Sequence, residues 1–479
     1  MKKIIYLLVA PMLAACACAC SDWLEVLPKS RVLANNHFET EQGFADQLTG
    51  VYTRMSGSAL YGRELTFGLR EVLSQNYDLD VAGGYARTAL YEYADEGVKA
   101  RITAAWAESY TAIANLNLML EYLEDISPAK FSGRNYDVYK GEALGLRAFL
   151  HFELLRMFAP APAAAANAQA IPYVTKYTTS VTPLSTVNGA LDLVIADLTA
   201  AAECLKSDTI FLAVDAVAAY GVRAERAQRF NYYAARATLA RAYLWRGDVE
   251  RALAQAEEVI EACSDENLRF YWSHFTAIMA SNAYERDLLY KQEHIFRLEM
   301  NKMVDIVKPF FTASAGTEKL SPSETKMDNI YEVSSAALGM DYRYTYHYAY
   351  DGGERYLSKF WQPEGGTYLN MMPLIRLAEV YYIAAEALAP TDPARAVELL
   401  NVVREHRGLS NYPLPATLSP AAVQEEILKE YRKETLGEGQ LFYYYKRLNL
   451  PVIPGSSRPG NNATYVFPLP DNEIEFGNR

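Results

Sequence analysis

Histidine and cysteine are the scarce residues of this 479-residue chain, with 6 His and 5 Cys. A centre built on imidazole therefore has few candidates. Three of the cysteines, Cys16, Cys18 and Cys20, cluster near the N-terminus, which leaves Cys204 and Cys263 for the rest. A metal site on the early C-x-C-x-C run would have no partner His or Cys close in sequence. The familiar catalytic signatures are missing too: there is no G-x-S-x-G, no H-E-x-x-H and no G-x-x-x-x-G-K-[ST]. Gly437-Glu438-Gly439 lacks a third glycine and opens no dinucleotide-binding helix. After the N-terminus, no stretch is long and apolar enough for a transmembrane helix. Positive charge is in deficit, with 46 Lys and Arg against 58 Asp and Glu, net -12. Such a chain repels phosphate backbones, so a nucleic-acid partner is not expected. Neither a metal nor a cofactor is expected.

What is abundant is tyrosine, 36 residues in a chain that is 12% aromatic and 51% hydrophobic. Tyrosine brings buried area with a polar handle, which suits both helix edges and wet binding surfaces. The length exceeds a usual single domain, so two lobes or one large helical array are expected.

The N-terminus reads as an export signal: Lys2 and Lys3, then an apolar run over residues 4–13, then small residues. That run is too short to span a bilayer, which takes about 20 apolar residues. Leu13-Ala14-Ala15-Cys16 has the form of a bacterial lipobox, where a cysteine accepts lipid before cleavage. Cys16 has the better residues before it; Cys20 sits better against Ser21-Asp22-Trp23-Leu24-Glu25-Val26-Leu27-Pro28. Either is a candidate lipidation site. Cys204 and Cys263 allow a disulfide in an exported protein or two separate buried thiols.

Helical spacing dominates the rest. Ile113, Leu116, Leu120 and Leu123 recur at that period, as do Leu144, Ala148, Phe152 and Leu155. Leu191, Val194, Ile195, Leu198, Ala202 and Leu205 form a third run, with Ser185 as its expected N-cap. Residues 159–172, broken by Pro160, Pro162 and Pro172, read as an irregular surface loop. Two later segments look like copies of one helix–turn–helix unit. Ala240 matches Ala384, Leu244 matches Leu388, Asp248 matches Asp392, and Arg251-Ala252 matches Arg395-Ala396. Asp392 is placed to cap the second helix, with Pro393 at its first position. These are tetratricopeptide-like hairpins, which bury their apolar faces by stacking. Between them, residues 264–362 lack a clean helical period. Tyr342, Tyr344, Tyr346, Tyr348 and Tyr350 alternate as in a strand or extended loop. Residues 85–93 are similarly aromatic and irregular.

Several blocks together resemble the SusD/RagB family of Bacteroidetes surface lipoproteins. Asp22-Trp23-Leu24-Glu25-Val26 before Pro28 is similar to the family's opening. Phe38-Glu39-Thr40, Gly50-Val51-Tyr52 and the Arg147-Ala148, Phe152, Leu154, Arg156, Phe158 pattern follow, then Ile171-Pro172. Pro373, Ile375-Arg376, Ala378-Glu379-Val380-Tyr381 resembles a family helix, and Leu400-Asn401-Val402-Val403-Arg404 with Gly408-Leu409 the next block. Arg432, Glu434, Gly437-Glu438-Gly439, Lys446-Arg447 and the closing Phe467-Pro468-Leu469-Pro470, Glu473-Ile474 complete the order. The chain departs from the pattern at Gln440, where Arg is usual, at Tyr444, where Asp is common, and in the Ala/Pro residues after Phe158. These read as local packing changes.

The resemblance implies a mostly α fold, a SusD-like superhelix of tetratricopeptide-like helix pairs with long irregular ligand-binding loops and minor β. It implies a signal peptide over 1–19 (or 1–15), an N-terminal region 20–228 and a C-terminal region 229–479 in one compact globular body. It also implies a non-enzymatic lipoprotein on the outer-membrane surface. Such a protein captures glycan, or peptide, for a SusC-like TonB-dependent β-barrel. Ile375-Arg376 and Glu379 then read as helix packing plus a charge pair. A ring that stacks on a sugar face is the expected ligand contact. The candidates are Tyr85, Tyr91, Tyr93, Trp272, Tyr342, Tyr344, Tyr346 and Trp361, with Tyr348 and Tyr350 in the same row. Rival readings are a surface glycosidase, since carboxylates are plentiful, and a helical-repeat scaffold that binds only proteins.

Overall fold

The computed structural model describes residues 34–208, 226–263, 270–333, 340–351, 353–361 and 363–477. Cys16 and Cys20, and with them the signal peptide, lie outside these residues. The chain divides into two units, one ending at Asp46 and the other starting at Gln47. In the first, the Phe38 and Phe44 rings lie 4.9 Å apart. All that follows concerns the second.

Nine of the helices among the described residues build the scaffold of that unit. They are α1 (Glu96–Asp125), α2 (Asn135–Phe158), α3 (Val187–Leu205), α4 (Tyr232–Arg246), α5 (Val249–Glu261), α6 (Leu377–Leu388), α7 (Pro393–Arg404), α8 (Pro420–Glu434) and α9 (Leu441–Arg447). The three periodic runs fall within α1, α2 and α3 and bury their apolar stripes, with Leu144 and Ile195 half-buried at the edges. Each helix from α1 to α7 packs on the next, and α6 also packs on α4 and α8. The fold is thus mostly α and built of tetratricopeptide-like pairs. The hairpins α4–α5 and α6–α7 form where the repeat predicted them. Asp248 accepts from the Arg251 amide and Asp392 from the Arg395 amide, with Pro393 opening α7. Gly247 ends α4 at φ 87°, a left-handed value that glycine adopts freely. Small residues allow close approach elsewhere too. A Cβ at Gly145 in α2 would stand 2.2 Å from the Phe230 ring.

Three expectations need correction. Thr186, not Ser185, caps α3, its side chain accepting from the Gly189 amide. Residues 159–172 are more regular than their prolines suggest: Pro162–Ala165 is a helical turn, with Pro162 at its start, and β1 (Gln169–Pro172) pairs antiparallel with β2 (Leu184–Thr186). Ile375-Arg376 is strand rather than helix. It ends β6 (Met371–Arg376), which pairs antiparallel with β3 (His294–Glu299). Every residue of β6 is buried, and the strand runs straight into α6. The insertion between α5 and α6 is therefore tied at its base by β3 and β6. It also carries a hairpin of β4 (Tyr348–Asp351) and β5 (Glu354–Leu357). Cys204 is a free thiol, so it is not joined to Cys263, and both are half-buried rather than buried.

Candidate aromatic binding surface

The tyrosine row does not form one strand. Tyr342–Tyr346 is a helical turn capped by Asp341, whose side chain accepts from the Arg343 amide. Only Tyr348 and Tyr350 lie on β4. The cause is Arg343, which is fully buried. Its guanidinium bonds Asp341 at 2.7 Å, Glu430 at 2.8 Å and Glu434 at 2.9 Å. Burial works against that charge, but Asp341 and Glu430 carry its pKa well above the ordinary arginine value.

Glu430 and Glu434 of α8 are shared with further cations. Arg376 and Arg407 both pair with Glu434, Arg404 and Lys433 with Glu430, and Arg407 also with Glu293. Lys359 and Arg376 meet Glu438, and Lys433 meets Glu332. Burial raises the Glu434 carboxyl, yet Arg407 and Arg376 hold it well below the usual carboxylate range. Arg376 and Glu379 therefore do not form a pair with each other. Glu379 instead takes Arg241 of α4, at 2.5 Å. This network bolts the insertion to α8.

With Arg343 pointing inward, Tyr342 and Tyr346, four residues apart, share another face. Both are half-buried, with ring centroids 6.2 Å apart. Tyr342 rests on the backbone of Gly408, where a Cβ would come within 2.6 Å of its ring. Two residues earlier, His406 stacks flat on Trp272, 4.6 Å apart at 8°. Burial, then Arg407, pushes the His406 pKa down to about 4, so the stack is neutral over ordinary pH. At the other end the Arg286 guanidinium lies 5.4 Å from the Tyr346 ring, and Tyr284 nearby is 52% exposed. The Trp272–His406 stack and the Tyr342–Tyr346–Arg286 group thus meet at the 406–408 backbone, and together they make up an aromatic strip.

Tyr344 belongs to a second group. Its hydroxyl donates to Asp328 at 2.8 Å, and Arg355 lies 4.1 Å over its ring. Arg355 also touches Tyr348 and Tyr350. Tyr348 is buried, while Tyr350 is 67% exposed. Trp361 is half-buried in the loop after β5, and its indole N–H has no partner among the described residues.

Tyr85, Tyr91 and Tyr93 are corrected outright: all three are buried. The Tyr85 hydroxyl donates to Glu64, Tyr91 to the Leu73 carbonyl and Tyr93 to the Thr464 carbonyl. Their hydroxyls are consumed and their rings are largely covered, although Tyr93 still lines a surface pocket with Ile102, Phe467 and Ile474. The sequence reading missed His406, Tyr284 and Arg286. Tyr284 and Arg286 lie within the irregular 264–362 segment, but His406 had no signal of its own.

Amphipathic rings and guanidinium planes suit flat, hydroxylated ligands. Acid chemistry is less well served. Asp287, near Trp272, has its carboxyl pushed up to about 6 by burial. It is held by the Ser273 hydroxyl at 3.1 Å and the Lys291 amide at 2.8 Å, a structural use. Among the described residues no group of three or more His, Cys, Asp or Glu is arranged to hold a metal. No helix among them is long and apolar enough to cross a membrane.

Comparison with known proteins agrees along nearly the whole length. The family described as starch-binding and associating with the outer membrane matches residues 22–244, and the SusD family matches 215–452. A SusD-like protein P2 from Formosa agariphila is 24% identical, covering 95% of this chain and 94% of its own. A SusD superfamily structure from Bacteroides thetaiotaomicron superposes with a TM-score of 0.70 at 22% identity, over 92% of this chain and 98% of that one. A laminarin-binding SusD-like protein gives 0.60 at 20% identity, over 85% and 91%.

Proposed function

This chain belongs to the SusD family, and from that premise we propose that it is a non-enzymatic glycan-binding lipoprotein of the outer-membrane surface. It captures oligosaccharide, or peptide, on the Trp272–Tyr342–Tyr346 strip. It passes the ligand to a SusC-like TonB-dependent β-barrel. Its lipid is carried by Cys16 or Cys20. The observation that supports this most is the strip itself: aromatic, partly exposed, flanked by the Arg286 guanidinium and anchored to the helical scaffold through a buried arginine. Because one structural neighbour binds laminarin, a glucan of that type is the first ligand to try.

Titration calorimetry against a glycan and peptide panel tests the reading. One class should bind, and Tyr346→Ala and Trp272→Ala should each weaken it about tenfold or more, the scale of a stacking anchor. Binding to no member, or binding indifferent to both changes, overturns it. Turnover of a bound glycan would support the glycosidase reading instead. Co-purification of a large β-barrel in mild detergent tests the delivery step. Mass spectrometry of the mature N-terminal peptide identifies the lipidated cysteine.

A further inference from the structure

The scaffold holds a cavity of its own, apart from the aromatic strip. It lies where α4, α6, α8 and α9 meet, has a volume of about 40 Å³, and is lined by Arg156, Arg241, Trp245, Tyr431, Tyr444 and Arg447, among others. On this measure one water-sized particle needs roughly 10–15 Å³. A chloride-sized ion fits, and a sugar does not.

Donors outnumber acceptors around it: against three unpartnered N–H groups stands one unpartnered hydroxyl, that of Tyr382. Arg241 gives Nε and Nη2 to Glu379 and Nη2 also to the Leu374 carbonyl, which leaves Nη1 without a partner. Arg156 gives Nη1 to Gln440 and Nη2 to Glu153, which leaves Nε. The Trp245 indole N–H has no partner either. All three side chains are more than nine-tenths buried. A buried N–H without an acceptor is costly, so three around one void need an explanation.

Charge points the same way. Arg70 and Arg156 share the single carboxylate of Glu153. Lys446, fully buried, reaches only the Arg156 and Met157 carbonyls. The two carboxylates lining the cavity are already engaged, Glu379 by Arg241 and Glu386 by Arg447. In this region five cations thus meet three carboxylates, and in the lining itself Arg156, Arg241 and Arg447 meet Glu379 and Glu386. Glu71, next to Arg70 in the chain, is turned onto Asn76, Ser74 and the Gly439 amide, and burial raises its carboxyl. Burial likewise lowers the pKa of Lys446 and brings Arg156 down to about 9. Uncompensated buried cations are unfavourable, and an anion among them removes the cost. Water would satisfy the N–H groups but not the charge.

We propose that this cavity binds one small monovalent anion of chloride size, held by Arg156, Arg241 and the Trp245 indole at the seam between the helical hairpins. The anion is structural: it ties α4 to α6, α8 and α9 and does not depend on the glycan-binding reading.

Two measurements on the purified protein test this. Crystals soaked in sodium bromide should show one anomalous peak in the cavity, within contact distance of Arg241 Nη1 and Trp245 Nε1. A cavity holding water alone overturns the proposal. In solution, replacing gluconate by chloride at a fixed ionic strength of roughly 0.15 M should raise the melting temperature by about 2–5 °C, saturably with concentration. Equal melting in the two salts overturns it. Trp245→Phe, which removes only the donor end of the ring system, should lose most of the chloride response while keeping the native circular dichroism. If that variant fails to fold, the wild-type measurements still decide.

Discussion

Changing Glu434 to glutamine puts the buried ion network to its hardest test. The carboxylate takes Arg343 at 2.9 Å, Arg407 at 2.7 Å and Arg376, while its own backbone carbonyl takes Arg376 and Lys359. Arg343, Arg376, Arg404, Arg407, Lys359 and Lys433 are balanced by Asp341, Glu293, Glu332, Glu430, Glu434 and Glu438. Glutamine keeps the shape and one acceptor oxygen, but leaves one buried positive charge uncompensated. Removing one partner of a buried pair costs about 3–5 kcal/mol, and that is the loss expected for E434Q. Urea unfolding measures it, as a lower midpoint at unchanged slope. Glu426→Gln is the control on the same helix: its pair with Lys429 is partly exposed and should be worth less than about 1 kcal/mol. The pH dependence carries the same sign. Because the folded Glu434 pKa is depressed, its contribution is present above the unfolded glutamate value and lost as pH falls below it. Wild type should therefore weaken below about pH 4.3, and E434Q should show a flatter decline there. If E434Q costs no more than Glu426→Gln, the network does not hold the insertion.

Two further outcomes concern the strip. Gly408 has φ 85°, and a Cβ there would stand 2.6 Å from the Tyr342 ring, so Gly408→Ala should cost about 1–3 kcal/mol and weaken ligand binding by displacing that ring; unchanged unfolding and affinity would refute the packing. His406 should titrate by NMR near pH 4, so protonation of the unfolded chain first costs stability as pH falls below about 6.5; a midpoint near 6.5 would mean that the ring is not buried against Trp272.

Local rules made the scaffold legible. The apolar stripes of α1 to α3 and the Asp392-Pro393 start of α7 depend on residues within a turn or two of each other. The insertion is different, because its conformation depends on distant partners. Alternating tyrosines at 342–350 fit a strand by period alone. Arg343 overrides that period, since Glu430 and Glu434 lie 87 and 91 residues away. Met371–Arg376 reads as the approach to a helix until β3, far upstream, pairs with it. Tyr85, Tyr91 and Tyr93 show the same limit from the other side. Aromatic clustering marked them as ligand-binding candidates, but Glu64, the Leu73 carbonyl and the Thr464 carbonyl consume their hydroxyls. Composition finds aromatic rings; only tertiary contacts say which face water.

The two departures from the family pattern in the α8–α9 region gain meaning from this geometry. Gln440 and Tyr444 both line the cavity between the hairpins. Gln440 accepts from Arg156 at 3.3 Å, where an arginine would add another cation. Tyr444 receives a hydrogen bond from Gln424 and lies 5.2 Å from the Arg447 guanidinium. An aspartate there would supply the negative charge that this chain lacks beside Arg156, Arg241 and Arg447. Tyrosine supplies none, and its bulk helps close the void. The two departures offset each other in charge, one removing a cation and the other an anion, so the surplus of cations lies in Arg156, Arg241 and Arg447 themselves. A bound anion compensates for that surplus. The aromatic strip has no share in it: its own root, Arg343, is satisfied by Asp341, Glu430 and Glu434. Chloride should therefore affect the stability of the scaffold and leave ligand affinity on the strip unchanged.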